Sequence, residues 1–96
     1  MKCLLIFCSE YLEGKVRTTL EKLKIGCFAE IADVMGCSGG IKHMNTPAFP
    51  GSANIFFAVV EESRTDEVKR ALAELLDHCE GEKCLRCMAL DAEALV

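Results

Sequence analysis

A glycine-rich stretch carries the first group of residues that could bind a ligand. The sequence GCSGGIKH covers residues 36–43, and its candidate binding residues are Gly36, Cys37, Ser38, Gly39, Gly40, Lys42 and His43. Successive backbone N–H groups in a glycine-rich turn can form a concave anion site, and the lysine and histidine add positive charge. The alternative is a plain flexible loop in which glycine only permits the turn. The residue types therefore allow a site for a small anion without requiring one.

A second group of reactive side chains lies in the sequence HCEGEKCLRC. Its possible metal ligands are His78, Cys79, Cys84 and Cys87. A single Cys-x-x-Cys pair is weak evidence for a metal site, whereas two such pairs at zinc-finger spacing would be strong. In a regular strand Cys84 and Cys87 would point to opposite faces, because side chains alternate. Packed thiols are therefore the alternative to metal or thiol chemistry.

Sequence motifs of common enzymes are absent. The chain contains no Gly-x-Ser-x-Gly, no Walker loop and no paired His-Glu motif. Its Asp and Glu residues fall mostly on predicted helix faces and near the end of the sequence, which is typical of a solvated surface. We therefore expect a protein that is not an enzyme.

Length and composition indicate one globular domain spanning residues 1–96, because 51% of the residues are hydrophobic and 27% are charged. The net charge of −4 argues against nucleic acid and against anionic membranes as partners. The apolar run from Cys3 to Cys8 is too short to span a membrane and lacks a cleavage pattern. A cytoplasmic location is the expectation.

The chain is rich in cysteine, with seven in 96 residues. Without a secretory signal a disulfide framework is the weaker explanation, because cytosolic thiols are kept reduced. Cys3, Cys8 and Cys27 are expected to be small buried hydrophobic residues. Cys37, in the glycine-rich stretch, is the thiol expected to be most accessible.

Hydrophobic periodicity predicts the elements that must position these groups. The predicted strands are 2–9, 27–35, 54–61 and 83–90. The first predicted helix covers 11–24 and ends near Gly26, and the second begins at a capping box of Ser63 and Asp66 and stops at Gly81. This order predicts a ferredoxin-like βαββαβ fold of the α+β class, with a four-stranded antiparallel sheet and two helices on one face.

Residues 36–52 form a long connection between the second and third predicted strands. Unstructured connections of this length are uncommon inside compact domains and are usually functional or disordered. Because Met44, Phe49 and two prolines lie within it, we expect the loop to contact another molecule when bound.

Three stretches of the sequence resemble a known family. KVRTTLEKLKI, residues 15–25, matches a first-helix pattern, Gly36 and His43 match the start of a functional loop, and NIFFAVVEESRTDEVKRAL, residues 54–72, matches a third strand and second helix. On these residues the chain resembles the PII-like proteins, the nitrogen regulatory P-II group of signal transduction, over roughly residues 2–90. The trimeric CutA group has the same architecture and is the nearest competitor.

The PII-like resemblance implies a homotrimer that binds an effector, such as an adenine nucleotide, in the clefts between subunits. It also implies that residues 36–52 are a T-loop, which docks onto a regulated partner protein. Gly81, Lys83 and Arg86 would be the remnant of the family's phosphate-binding loop. The chain departs from the family because its only tyrosine is Tyr11, so the loop lacks a tyrosine for modification. The CutA resemblance implies instead a protein that handles a divalent metal or thiols.

Overall fold

Two helices pack on one side of a four-stranded antiparallel sheet. The computed structural model describes residues 1–38, 40–48, 50–76 and 84–96. The elements are β1 (Lys2–Ser9), α1 (Glu13–Lys22), β2 (Phe28–Val34), β3 (Gly36–Ser38), β4 (Ile41–His43), β5 (Ala53–Val60), a 3₁₀ turn (Glu62–Arg64), α2 (Thr65–Leu75) and β6 (Leu85–Asp91). The predicted α+β ferredoxin-like fold is confirmed.

The main sheet has the strand order β2-β5-β1-β6, and β3 and β4 form a separate two-stranded ribbon. The central strand β1 runs antiparallel to both neighbours, with Leu4 opposite Ala58 on one side and Ala89 on the other. As a result, the last residues of β1 and β2 lie at the same end of the sheet as the first residues of β5 and β6. We call this the loop end, because residues 35–52 leave the sheet there.

The core lies between the helices and one face of the sheet. Burial follows the strand period of two and the helix period of 3.6, as expected for elements with one apolar side. Phe56 is fully buried and contacts the ring of Phe28 at a centroid distance of 6.5 Å. The other buried core residues are Leu4, Ile6, Cys8, Leu12, Val16, Leu20, Ile25, Ala58, Val60, Val68, Leu72 and Leu85.

The opposite face of the sheet, which we call the open face, is also apolar but is covered by neither helix. Strand alternation places Leu5 and Phe7 there, next to Phe57 and Ile55 in the register of β1 and β5. Its exposed large side chains are Ile31, Phe57, Val59, Met88 and Leu90. A contiguous apolar surface of this kind is typical of a protein–protein interface.

The predicted burial of three cysteines is confirmed only for Cys8, which faces the helices from the central strand β1. Cys3 is half-buried, because strand alternation places it on the open face. Cys27 is exposed, so its prediction is wrong: it lies just before β2, which is an edge strand of the sheet. Cys37 is exposed as expected.

Helix α1 ends earlier than its pattern predicts. Lys24, rather than Gly26, adopts the left-handed conformation, with φ of 56°. Its N–H donates to the carbonyl of Glu21, and the N–H of Ile25 donates to the carbonyl of Leu20. This pair of bonds satisfies the last carbonyls of the helix. The helix therefore stops before the glycine that was expected to end it.

The predicted capping box at the start of α2 is wrong. Ser63 lies inside the 3₁₀ turn, and α2 begins at Thr65 without a side-chain cap on its first N–H groups. Instead, the Thr65 hydroxyl donates to the carbonyl of Glu62, and the Arg64 guanidinium donates to the carbonyl of Leu23. The contact with Leu23 joins α2 to the end of α1, which a local sequence pattern cannot show.

The Cys8 thiol should make stability depend on alkaline pH. Burial, helped by the nearby charge of Glu30, raises the pKa of Cys8 from 9.0 to about 12. Between these values the unfolded chain releases a proton that the folded chain keeps, so the free energy of unfolding falls as pH rises. Urea titrations from pH 8 to 11 measure this slope. We expect Cys8→Ala to flatten it and Cys27→Ala, at an exposed thiol, to leave it in place; equal slopes in both variants would contradict the assignment.

Candidate functional site

The first half of the 36–52 loop is an ordered hairpin. Gly36 pairs with His43 and Cys37 with Lys42, so β3 and β4 form a short ribbon. Two glycines separate the strands, and Gly40 has φ of +82°. A Gly-Gly pair between two short strands is a recognised hairpin signal, because tight turns of this kind need positive φ. Residues 36–38 and 41–43 are therefore paired strands within the long connection.

The second half of the loop is closed by two hydrogen bonds. The Asn45 N–H donates to the carbonyl of Gly51 over 2.9 Å. His43 Nδ1 lies 3.2 Å from the carbonyl oxygen of Pro50. Because a carbonyl can only accept, Nδ1 must carry the proton in this contact. The His43 side chain thus links the end of the hairpin to Pro50, in the segment that leads into β5.

Gly51 occupies a crowded position at the base of the loop. Its φ is +87°, and a Cβ atom at this residue would lie 3.1 Å from Glu10 Oε1 and 3.2 Å from His43 Nδ1. A larger residue would meet both a steric and a conformational penalty. Glycine is therefore strongly favoured where the loop joins β5.

At the base of the loop, one serine hydroxyl lies within hydrogen-bonding distance of two carboxylates. Ser52 is 2% exposed, and its hydroxyl lies 3.4 Å from Glu10 Oε2 and 3.3 Å from Asp33 Oδ1. Asp33 has φ of 56° and lies in the register shift of β2 between Ile31 and Val34. A bulge re-aims side chains at the end of a strand, and Asp tolerates this conformation. The base of the loop is therefore acidic.

A second cluster of polar side chains lies near these carboxylates, on the face of the sheet that packs against the helices. The Asn54 amide, which is buried, donates to Glu30 Oε2 over 2.9 Å. Arg17 reaches from α1 to Glu30 Oε1 at 3.2 Å and also pairs with Glu13. Because the buried amide and the carboxylate are both partnered, this group joins α1, β2 and β5 near the loop end.

Ser9 lies between the base of the loop and the start of β6. In the sheet it stands opposite Ala53, which follows the loop, and its N–H donates to the carbonyl of Cys84 over 2.8 Å. Its side-chain oxygen is buried and has no hydrogen-bond partner among the residues that the structure describes. A buried hydroxyl without a partner costs free energy, so it calls for an explanation.

The predicted anion-binding residues are only partly placed by the structure. The hairpin brings together Gly36, Cys37, Lys42 and His43. Arg86 lies in β6, opposite Phe7 of β1. Ser38 and Gly40 belong to the same hairpin. Gly39, Gly81 and Lys83 lie outside the described residues. The anion site at the hairpin therefore stays a prediction.

The predicted metal ligands are placed only in part. His78 and Cys79 lie outside the described residues, Cys84 lies partly buried against the core, and Cys87 lies in β6. Within the four described ranges, no three His, Cys, Asp or Glu side chains are grouped closely enough to hold a metal ion. Neighbouring protein atoms shield the Cys87 thiol from part of the solvent, which raises its pKa.

Sequence reasoning missed Glu10, Asp33, Ser52 and the buried Asn54. Each is a single polar residue at a strand end, and no spacing links residue 10 to residues 33 and 52. Only the pairing of β1 and β2 with β5 brings them together. The glycine pair of the hairpin, by contrast, was a signal available in the sequence.

No helix among the described residues is long and apolar enough to cross a bilayer.

Comparison with known proteins connects this architecture to solved structures. No protein-family model matches the sequence, and a search of curated proteins finds no match. CPII from Thiomonas intermedia K12, bound to ADP and bicarbonate, is similar with a TM-score of 0.69 and 10% identity, over 93% of this chain and 86% of that one. A DUF3240 family protein from Shewanella baltica OS155 is similar with a TM-score of 0.74 and 14% identity, over 97% of this chain and 90% of that one. A candidate PII-like signaling protein from Thermus thermophilus has a TM-score of 0.60 and 13% identity, over 93% of this chain and 83% of that one.

These similarities extend over nearly the whole chain, so the fold is that of the PII-like proteins. At such low identity the likeness concerns the backbone arrangement, because one fold supports many functions. The function must therefore be argued from the groups at the loop end.

Proposed function

We propose that this chain is a PII-like regulatory protein that forms a homotrimer. It binds a small anionic effector, an adenine nucleotide, between subunits at the loop end of the sheet. Binding changes how the 36–52 loop is held at its base, and the loop then docks onto a partner protein and changes that protein's activity. A ligand can drive such a change if it favours one state of the loop by a few kcal/mol.

One observation carries the proposal: the base of the loop and the start of β6 converge on Ser9, whose buried hydroxyl has no partner among the described residues. An effector bound there could supply the missing hydrogen bond and contact the loop at the same time. Support comes from the shared fold with CPII, which has been seen with ADP and bicarbonate.

The open face supports the homotrimer. Its exposed side chains include Phe57 and Met88, which lie on either side of Leu5 in the register of the sheet. Closed three-fold symmetry would bury three copies of this apolar surface and leave none exposed. The loop ends of neighbouring subunits would then form the walls of the effector clefts.

Charge limits how a nucleotide can bind. The carboxylates of Glu10 and Asp33 lie at the base of the loop and would repel a phosphate group. We therefore expect the phosphates to contact Lys42 and the imidazole of His43 in the hairpin, Arg86 of β6, and Lys83, which precedes β6 in the sequence. The nucleotide would then lie across the end of β1, between the hairpin and β6.

Calorimetric titration with ATP, ADP and AMP tests the proposal, and we expect saturable binding of at least one of them. Ser9→Ala should weaken that binding by about tenfold, the effect of losing one hydrogen bond to a charged or polar ligand. The same variant should unfold at no lower a temperature than the wild type, because it removes an unpartnered hydroxyl.

Ser63→Ala is the matched control, since Ser63 is an exposed serine far from the loop end, and it should bind like the wild type. In parallel, the reduced protein is titrated with zinc and with copper. Metal binding without any nucleotide binding would contradict the proposal and favour the metal-handling alternative.

A further inference from the structure

We propose that the groove between α2 and β6 is a binding site for a small aliphatic carboxylate, such as a medium-chain fatty acid. It is formed by helix α2 and the helix-side face of the sheet, and Leu4 of β1 and Leu85 of β6 lie among its lining residues. This site is separate from the base of the 36–52 loop and does not depend on the function proposed there.

The groove exists because small residues stand where large ones would fill the space. The groove is lined by Ala73 of α2 and by Cys87 and Ala89 of β6. The two β6 residues face the helix side of the sheet but are still exposed. Protein interiors are normally packed to crystal-like density, and side chains of facing elements interdigitate. A helix that fails to cover its neighbouring strand therefore leaves an apolar space open to solvent.

The walls of the groove are hydrocarbon. One side is formed by Val68 and Leu72 of α2 and by Leu76, which follows the helix; the three lie one above the other at helical spacing. The space has a volume of about 280 Å³. An engineered apolar cavity of roughly 150 Å³ holds benzene, so this groove is large enough for a chain of about eight carbons. An alkyl chain would gain free energy by leaving water for these walls.

One cation stands beside this hydrocarbon surface. Lys69 lines the groove, and no acidic side chain does so among residues 1–38, 40–48, 50–76 and 84–96. Within the described part of the chain Lys69 takes part in no ion pair, whereas Lys2, Arg17 and Arg64 are each paired with a carboxylate. Thr65 adds a hydroxyl to the lining. Apolar walls with a few placed polar groups are typical of small-molecule sites, and here the single positive charge selects a ligand with one anionic head.

Titration with octanoate, followed by methyl NMR, tests this site. We expect saturable shifts at Val68 and Leu72, which line the groove. Octan-1-ol has the same chain length without the charge and should bind about fivefold more weakly, as for the loss of one exposed ion pair. Lys69→Gln should weaken octanoate about fivefold and leave octan-1-ol unchanged, whereas Lys22→Gln on α1 should change neither.

Ala89→Leu places a larger side chain in the groove and should abolish octanoate binding. Because that variant could perturb packing, its circular dichroism and thermal unfolding are compared with those of the wild type. Lys69→Gln changes only a side chain at the edge of the groove and therefore tests the same site without altering the packing. Methyl shifts confined to Val59, Met88 and Leu90 would assign the ligand to the open face and overturn the proposal. Equal binding of octanoate and octan-1-ol, or no saturable shift at all, would overturn it too.

Discussion

Phe57→Glu is expected to convert the proposed trimer into folded monomers. In the single chain Phe57 is 41% exposed on the open face, so glutamate there meets water and leaves the core intact. In the trimer the same position would be buried against a neighbouring subunit. An uncompensated buried charge costs about 3–5 kcal/mol, and each subunit would carry one. Sedimentation equilibrium of the two proteins measures the change directly.

Tyr11→Glu is the matched control, because Tyr11 is 85% exposed and lies outside the open face. This variant should sediment like the wild type. Circular dichroism should show the same secondary structure in all three proteins. A wild-type monomer, or a Phe57→Glu variant that remains trimeric, would contradict the assignment of the open face to the subunit interface.

Gly51→Val is expected to release the base of the 36–52 loop. The residue has φ of +87°, which a β-branched side chain rarely adopts, and such strain costs about 1–3 kcal/mol. Its Cβ would also press on Glu10 and His43, at 3.1 and 3.2 Å. Rotation of the backbone would relieve both problems but would break the hydrogen bond from Asn45 to the Gly51 carbonyl.

The rate of hydrogen exchange at the Asn45 amide measures how often that hydrogen bond opens. We expect exchange at Asn45 to accelerate by about tenfold or more in Gly51→Val, as the strain is converted into local opening. Gly14→Ala is the control, because Gly14 lies in α1 with open space around it and should gain about 0.5–1 kcal/mol of stability. Unchanged exchange at Asn45 in Gly51→Val would show that Gly51 does not hold the loop.

The fold was largely predictable because its elements are local patterns. The apolar runs of β1 and β5 and the apolar stripe of α1 are visible in residue order and side-chain period. Element ends were less predictable. Lys24 took the left-handed position expected of a glycine, and Arg64 replaced the predicted cap with a bond to Leu23 on the other helix.

The candidate site was predictable only where its residues are neighbours in sequence. Gly36, Lys42 and His43 lie within one hairpin and were grouped from the sequence alone. Glu10, Asp33 and Ser52 come from three separate strand ends, so no spacing could associate them. Their contact changes the electrostatic character of the site, since it places carboxylates where only positive charge had been expected.

The sequence by itself determined the order of elements, the burial of one sheet face and the position of a long connection between the second and third strands. These are properties of short segments, set by side-chain period and by where glycine permits a turn. Only the tertiary structure decided which polar groups share the loop end, how Gly51 is enclosed by Glu10 and His43, and where α2 leaves β6 uncovered. Those features depend on strand pairing across tens of residues, because distant side chains become neighbours only when the sheet forms.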